Sequence, residues 1–250
     1  MKKFAIFTEG QSELIFVREL LFRLVDSSKM SLQCLELLSH RYSDVEFEHQ
    51  CPQPEVFFLL VDVHGDEGVL SSLKEREIDL IEKGSYEKII GLRDMYCELY
   101  SKKSPGKIDD RVSAMIIENC ELVILNMRYN DRIKVFFAVM ELEAWFLAMY
   151  DLFKRINSLL SVGYIKDHTG IDLKDKDPER EFYRPSQEVN IILNLCGMQY
   201  KKKKGEIENI AKNMAATDLV DARENDRCEH LGKFLEGVRE IVSGYLYEQP

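Results

Sequence analysis

Residues 4–16, FAIFTEGQSELIF, decide the expected fold because they join a strand to a helix through a short turn. The segment Phe4 to Thr8 is apolar with little alternation, as in a strand buried on both faces. Apolar residues then recur at helical spacing, at Leu14, Val17, Leu21 and Leu24. Glu9 and Gly10 stand between the two elements, where the carboxylate either serves the following helix or contributes to a binding site.

Strands and helices continue to alternate beyond this first unit. Strands are expected at 56–63, 88–96 and 135–140, and helices at 69–84, 109–125 and 142–153. Residues 32–38 fit either a helix or a strand. The alternation predicts an α/β fold over residues 1–155, with a mostly parallel sheet flanked by helices and with ligands at the carboxyl ends of the strands.

Beyond residue 155 the strand pattern weakens. Residues 167–188, DHTGIDLKDKDPEREFYRPSQE, are charged and loop-like. Helices are expected at 187–195, 205–216 and 226–247. We therefore predict that residues 156–250 form a small, mainly helical C-terminal region.

The composition indicates a globular protein of a reducing compartment. Of the 250 residues, 45% are hydrophobic and 31% are charged. The six cysteines form no CxxC pair, and no signal-peptide pattern opens the sequence, so a cytoplasmic location is expected. The most apolar window, residues 135–153, contains Glu141, Glu143 and Asp151, which argues against a membrane span and against a membrane partner.

The net charge of −10 argues against a broad, non-specific coat on nucleic acid, because such binding depends on many Lys and Arg contacts to phosphate. It is compatible with a nuclease whose metal ions supply the positive charge that phosphate needs. One basic segment is a candidate for contact with phosphate, with an adjacent tyrosine available for stacking on a base: Tyr200, Lys201, Lys202, Lys203 and Lys204. Such a run also fits a solvated turn.

Acidic residues stand at the ends of four predicted strands. Carboxylates that converge in a crevice repel one another unless a cation neutralises them, and their hard oxygen atoms select Mg²⁺ or Mn²⁺. The sequence therefore predicts a metal site at the carboxyl edge of the sheet. The candidate ligands are Glu9, Asp62, Asp66, Asp94, Glu141 and Glu143.

Each of these acids also fits a purely structural role. Glu9 could face the positive end of the following helix, and Asp62 could belong to the turn at 61–68, VDVHGDEG. Glu141 and Glu143 could be helix-start acids, with Glu141 directed more towards the sheet edge. The motifs of phosphate-binding loops, dinucleotide-binding folds and nucleophile elbows are absent from the sequence.

Residues 8–21, TEGQSELIFVRELL, resemble the opening of Toprim domains, the α/β metal-binding module of topoisomerases, primases and overcoming-lysogenization-defect nucleases. Together with the Asp94-Met-Tyr96 segment and residues 134–147, KVFFAVMELEAWFL, they are similar to the bacterial family called domain of unknown function 4276. The most specific mark of that family is ELEAWFLA, and a weaker likeness in RPSQEVNIILN and YKKKKGEIENIAKNM extends the resemblance over most of the chain.

The resemblance implies a Toprim-like sheet and two catalytic residues. Glu9 takes the place of the Toprim glutamate, as a metal ligand or general base, and Asp94 takes the place of the first aspartate. The resemblance also implies a partner ATPase encoded nearby, in gene clusters of the bacterial defence type.

The chain departs from the Toprim pattern at its Asp-x-Asp motif. Tyr96 stands where a second aspartate would follow Asp94, and His64 stands at the corresponding position after Asp62. The metal site would then be weaker, or other acids of the candidate set would complete it. The expected function is a Mg²⁺-dependent nuclease, a phosphodiesterase that acts on nucleic acid and most simply on DNA, in antiphage defence or DNA repair. The alternative is a non-catalytic Toprim-like module that binds nucleic acid, a nucleotide or a partner ATPase.

We expect Glu9→Gln to remove metal-dependent cleavage of nucleic acid while leaving the fold intact, because the change removes the charge of the side chain and keeps its size. Cleavage of labelled DNA and RNA in Mg²⁺ or Mn²⁺ measures the first effect, and circular dichroism measures the second. Equal cleavage by the variant and the unchanged protein would show that Glu9 has no part in the reaction.

Overall fold

The computed structural model describes residues 1–38, 41–65, 68–224 and 227–246. The chain divides into two compact units, the first with residues 1–93, 114–137 and 237–250 and the second with residues 94–113 and 138–236. This division differs from the single boundary after residue 155 that the sequence predicts, because segments from both sides of that boundary contribute to each unit.

A six-stranded sheet organises the first unit and confirms the predicted α/β class. The strands in chain order are β1 (Lys2–Thr8), β2 (Met30–Leu38), β3 (Arg41–Asp44), β4 (Val56–Asp62), β5 (Lys88–Asp94) and β6 (Ile133–Ala138). Across the sheet their order is β3-β2-β4-β1-β5-β6. β1 pairs in parallel with β4 and β5, and β2 pairs in parallel with β4, whereas β3 pairs antiparallel with β2. The sheet is therefore mostly parallel, as expected.

Helices flank the sheet and make up most of the later part of the chain. They are α1 (Gln11–Leu24), α2 (Gly68–Ile78), α3 (Glu98–Lys103), α4 (Asp110–Leu125), α5 (Glu143–Ala148), α6 (Asp151–Ile156), α7 (Val162–Thr169), α8 (Pro178–Glu181), α9 (Pro185–Asn194), α10 (Lys204–Lys212), α11 (Ala216–Glu224) and α12 (Glu229–Val242). α2 continues as a π-helical turn, and a short 3-10 turn precedes β6. No described helix is both long and apolar enough to cross a membrane.

The apolar core of the first unit includes one face of the sheet and the buried side of α2. Ala5 and Phe7, alternate residues of β1, belong to this core together with Val69 and Leu73 of α2. Gly91 in β5 permits the close approach of the helix, because a Cβ atom at that position would lie 2.9 Å from the side chain of Val69. This packing holds α2 against the sheet, and the strand pairings set the relative positions of the carboxyl ends of the strands.

The first strand-to-helix turn forms as the opening segment predicts. Gly10 precedes α1 in an extended conformation, with φ −158° and ψ −177°. Glu13 lies in the first helical turn and is buried, and its Oε2 would be 3.1 Å from a Cβ atom placed on Gly10. A side chain at residue 10 would therefore crowd the buried carboxylate of Glu13, which is a physical reason for glycine there.

One open assignment and two local differences from the predicted elements have clear causes. Residues 32–38, which fit either element, lie in β2, whose pairing with β4 decides the ambiguity. β3 escaped prediction because its sequence, RYSD, is exposed throughout and has no apolar alternation. The single helix expected at 142–153 is two helices, because the backbone of Met149 leaves the helical region at ψ 56°.

The second unit is mainly helical, with a buried aromatic centre. Trp145 of α5 is fully buried and stacks on Phe234 of α12, with ring centroids 5.3 Å apart. The indole Nε1 of Trp145 donates a hydrogen bond of 2.8 Å to Glu179 Oε1. This pairing satisfies the polar edge of the largest core residue, so α5 is held at a fixed position when it presents the acids at its start.

Two glycines of α12 provide a matched test of packing in the first unit and of helix propensity. A Cβ atom on Gly237 would lie 2.2 Å from the Phe136 ring, whereas a Cβ atom on Gly232 would meet nothing within 4 Å. We expect Gly237→Ala to lower the free energy of unfolding by about 1–3 kcal/mol through overpacking. We expect Gly232→Ala to raise it by roughly 0.5–1 kcal/mol, because alanine favours the helix. Urea unfolding of both variants measures the difference, and shifts in the same direction would contradict the close contact with Phe136.

Candidate functional site

Three of the predicted acidic residues lie in the second unit together with a lysine. Asp94 is the last residue of β5, and Glu141 and Glu143 stand at the start of α5. Lys202 comes from the turn before α10, and its Nζ lies 3.3 Å from Glu141 Oε1 and 3.0 Å from Glu143 Oε2. The charge of Asp94 also acts on this ammonium group. A cluster of carboxylates around one cation is therefore present in this unit.

Each of the two glutamates is held by one oxygen and directs the other to the lysine. Glu141 Oε2 accepts a hydrogen bond of 2.9 Å from the backbone N–H of Ser186, while Oε1 lies near Lys202 Nζ. Glu143 Oε1 accepts a hydrogen bond of 2.5 Å from Tyr200 Oη, while Oε2 forms the ion pair with Lys202 outside hydrogen-bond geometry. The outer contacts fix the carboxylates, so the inner oxygen atoms converge on the position of a cation.

The backbone around the cluster adopts conformations that are uncommon for these residue types. Met140, just before Glu141, has φ 62°, and Lys202 has φ 55°. Asp94 Oδ1 accepts a hydrogen bond of 2.8 Å from the backbone N–H of Leu142, which fixes the turn that carries both glutamates. Non-glycine residues with such φ values cost about 1–3 kcal/mol and persist where the surroundings require them.

Electrostatics keeps the lysine charged. Burial lowers the pKa of Lys202, but the charges of Glu143, Asp94 and Glu141 more than offset this effect, so that the pKa is raised above its ordinary value. Glu143 is fully buried and Glu141 is 6% exposed, whereas 36% of the Lys202 side chain is exposed. The ammonium group thus neutralises buried charge while it remains within reach of solvent.

Glu9 and Asp62 lie in the first unit, at the carboxyl ends of neighbouring parallel strands. The register pairs Thr8 of β1 with Asp62 of β4, and Glu9 follows Thr8 directly. The backbone of Glu9 is held on both sides, because its N–H donates to Leu92 O and its C=O accepts from Gly65 N–H. These two predicted residues are therefore brought to the same edge of the sheet.

The carboxylates of the two residues have different surroundings. Glu9 Oε2 lies 4.0 Å from Arg93 Nε, and both side chains are largely buried. Asp62 Oδ1 accepts a hydrogen bond of 2.9 Å from His64 N–H. Burial raises the pKa of Asp62, and the hydrogen bond and charge of His64 only partly oppose this rise. Asp66 lies outside the described residues.

The basic segment before α10 has two kinds of lysine. The side chain of Lys202 meets the two glutamates, whereas Lys201 and Lys203 are exposed and donate their backbone N–H groups to Glu206 Oε2. Tyr200, the candidate for base stacking, is 4% exposed, with its hydroxyl group directed at Glu143. Lys204 begins α10.

Among the described residues, one group has ligand atoms close enough together to hold a metal ion, and it is separate from the Asp94–Glu141–Glu143 cluster. One ligand atom each from Asp177, Glu179 and Cys228 lies within 4.8 Å of the others. These carboxylates also make structural hydrogen bonds. Asp177 Oδ1 caps α8, and Glu179 Oε2 accepts a hydrogen bond from the backbone N–H of His230. Burial raises the pKa of the Cys228 thiol well above its usual range, which keeps the sulfur atom protonated. Asp177 and Glu179 thus already accept hydrogen bonds from backbone N–H groups at the starts of α8 and α12.

The role of Lys202 as the partner of the glutamates was missed by sequence reasoning, which considered the residue only for contact with phosphate. A lysine within a run of four gives no signal that distinguishes it from its neighbours. The Asp177–Glu179 group did leave a signal, because Asp-Pro at 177–178 is the pattern of a helix cap followed by proline in the first turn.

Comparison with models of known protein families, with curated proteins and with solved structures finds no match.

Lys202→Met tests the cation requirement of the cluster. A raised pKa means that the contribution of Lys202 to stability is complete below the ordinary lysine pKa and is lost only as the pH rises through the higher folded-state value. At pH 7 the substitution leaves buried carboxylates without this cation. We expect the free energy of unfolding to fall by about 2–4 kcal/mol. This is somewhat less than the usual cost of breaking a fully buried ion pair, because the ammonium group is partly exposed.

The matched control for this prediction is Lys201→Met, which changes an exposed neighbour. Urea unfolding at pH 7 should show little change for the control. The double variant Lys202→Met with Glu143→Gln should recover part of the loss, since it removes one of the stranded charges. A double variant that is no more stable than Lys202→Met alone would argue against the electrostatic role of Lys202.

Proposed function

We propose that the protein is a metal-dependent phosphodiesterase that acts on nucleic acid, with Mg²⁺ or Mn²⁺ held by Asp94, Glu141 and Glu143. The observation that carries the proposal is the orientation of the two glutamates, each fixed through one oxygen atom and turned towards a common cation through the other. Carboxylate oxygen atoms suit these metals, and partners that orient the ligands are typical of metal sites. The ammonium of Lys202 carries one positive charge, so it offsets no more than one of the three carboxylates.

The residues of the cluster would have distinct roles in the reaction. A bound metal ion would polarise a phosphoryl oxygen and provide a nucleophile near neutral pH. Tyr200 and the Ser186 N–H hold the carboxylates in place before substrate arrives. Lys202, being charged and partly exposed, can move from the glutamates to a phosphate oxygen of the substrate when a metal ion takes over their charge.

The alternative is a non-catalytic module that binds a nucleotide, nucleic acid or a partner ATPase. The presence of Lys202 within 3.3 Å of both glutamates favours it, because the protein's own ammonium occupies the position that a metal ion would take. Titration with Mg²⁺ and Mn²⁺ in a calorimeter, with and without DNA, separates the two proposals. Binding that Glu141→Gln removes supports the enzyme, and the absence of binding at millimolar metal supports the module.

We expect Asp94→Asn and Glu141→Gln each to lower metal-dependent cleavage about 100-fold or more, because each removes a ligand charge and keeps an oxygen that can accept the backbone N–H. The assay uses labelled single-stranded DNA, duplex DNA and RNA in Mg²⁺, Mn²⁺ or EDTA. The matched control is Glu98→Gln, whose side chain is 81% exposed and pairs only with Lys102 among the described ion pairs. Cleavage that survives EDTA, or that is equal in all variants, would overturn the proposal.

A further inference from the structure

We propose that Tyr96, Tyr183 and Arg184 form a binding site for a nucleotide of single-stranded nucleic acid, beside the carboxylate cluster of the second unit. The inference rests on the proposed function, because it names the form of the substrate that would reach the same site. These three residues together are called the tyrosine–arginine site.

The three side chains form one compact group. The guanidinium carbon of Arg184 lies 3.8 Å from the centroid of the Tyr96 ring and 5.8 Å from that of Tyr183. The two tyrosine rings meet edge to face, with centroids 5.8 Å apart and an interplanar angle of 87°. Arg184 Nη2 donates a hydrogen bond to Tyr96 Oη. All three residues are half-buried, so a ligand can reach them without unfolding.

Arg184 presents positive charge that no described carboxylate neutralises. Within the described ranges its hydrogen bond goes to the neutral hydroxyl of Tyr96, and no ion pair joins its guanidinium to Asp or Glu. A guanidinium has five N–H donors in a planar fork that matches phosphate. The chain has a net charge of −10, so most of its surface repels anions. An arginine without a carboxylate partner is therefore a site at which an anion can bind.

Tyr183 adds a polar group that lacks a partner. Its Oη is buried and has no hydrogen-bond partner in the described part of the chain. A buried hydroxyl without a partner costs about 1–3 kcal/mol, and a shift of the side chain that brings it to a polar atom of a ligand would remove that cost. The aromatic rings and the guanidinium plane provide surfaces on which a nucleobase can stack. A guanidinium that suits phosphate, surfaces on which a base can stack and an unpaired hydroxyl together fit a nucleotide.

Two short segments join the tyrosine–arginine site to the carboxylate cluster. Asp94 and Tyr96 are two residues apart, and the backbone N–H of Tyr96 donates a hydrogen bond of 2.8 Å to Met140 O, directly before Glu141. Arg184 and Ser186 are also two residues apart, and the Ser186 N–H holds Glu141. A phosphodiester chain bound at Arg184 would therefore lie beside the carboxylates that are proposed to bind the metal.

The arrangement favours a single strand over a duplex. Bases in a duplex are stacked on their neighbours, so aromatic side chains can reach their faces only after unstacking, whereas the bases of a single strand are available. The small number of basic groups at this site also suits a short segment better than a duplex, which proteins hold through many phosphate contacts.

The test measures binding of the full chain to labelled oligothymidylate, oligouridylate and duplex DNA by fluorescence anisotropy in EDTA. We expect tighter binding of single strands than of duplex by about tenfold or more. Arg184→Gln and Tyr183→Leu should each weaken single-strand binding about tenfold. Arg184→Gln should also reduce the salt dependence by about one phosphate contact. The DNA and RNA strands distinguish the two sources of the same phosphodiester chemistry.

Controls keep the test decisive. Arg180→Gln, in α8 with a 73% exposed side chain, should leave binding unchanged, and thermal unfolding checks that each variant is folded. Tyr183→Phe keeps the ring but removes the hydroxyl, so it should weaken binding less than Tyr183→Leu does. Equal affinity for duplex and single strand, no binding, or unaltered binding by folded Arg184→Gln would overturn the inference. If single-strand binding depends on Arg184 and Tyr183 but no cleavage occurs, the proposed hydrolysis fails and this inference stands. If cleavage depends on Asp94 while Arg184→Gln changes nothing, the inference fails alone.

Discussion

The ammonium group of Lys202 is the constraint on which the arrangement of the candidate site depends. Two glutamates with almost no exposure lie within 3.3 Å of it. Taking such charges out of water costs several kcal/mol per ion, and opposite charge with well-placed hydrogen bonds must offset that cost. The groups that do so come from the turn before α10, the start of α5 and the Ser186 backbone, which are distant in sequence. Neutralisation of Glu141 and Glu143 therefore determines where these segments of the second unit lie.

The sheet and the carboxylate cluster obey different physical rules. Parallel pairing fixes the level of each strand end, so that Thr8 is opposite both Asp62 and Leu92, and hydrophobic burial beneath α2 maintains that register. The cluster around Lys202 depends instead on a few directed contacts and on two residues, Met140 and Lys202, with left-handed backbone conformations. Strain of this kind is retained only where the surrounding contacts demand it.

The same distinction explains how much the sequence could predict. Strands such as Val56–Asp62 can be predicted from unbroken apolar runs. The turn at Glu9 and Gly10 can be predicted from the change of strand spacing to helical spacing. Both are predictable because burial selects apolar residues in a local pattern. The exposed β3 and the break at Met149 have no such pattern, since pairing to β2 and a single backbone angle produce them. The partner of Glu143 could not be predicted either. Four consecutive lysines are alike in sequence, and only the fold turns Lys202 to the glutamates.

Under the proposed function, competition between Lys202 and a metal ion would link metal binding to the stability of the cluster. If pairing with the ammonium stabilises the metal-free cluster by about 2 kcal/mol, a metal ion must displace that pairing, and its apparent affinity falls about thirtyfold. The displaced ammonium group of Lys202 would keep a role. Because 36% of the Lys202 side chain is exposed, the group could turn to a phosphate that arrives with the metal. Metal and phosphate would then bind cooperatively, each removing a cost that the other would face alone. Under the proposed function, a lysine that stabilises the metal-free cluster would thus make metal binding depend on substrate, since the carboxylates would exchange the ammonium for a metal ion most readily when a phosphate is present to receive the ammonium.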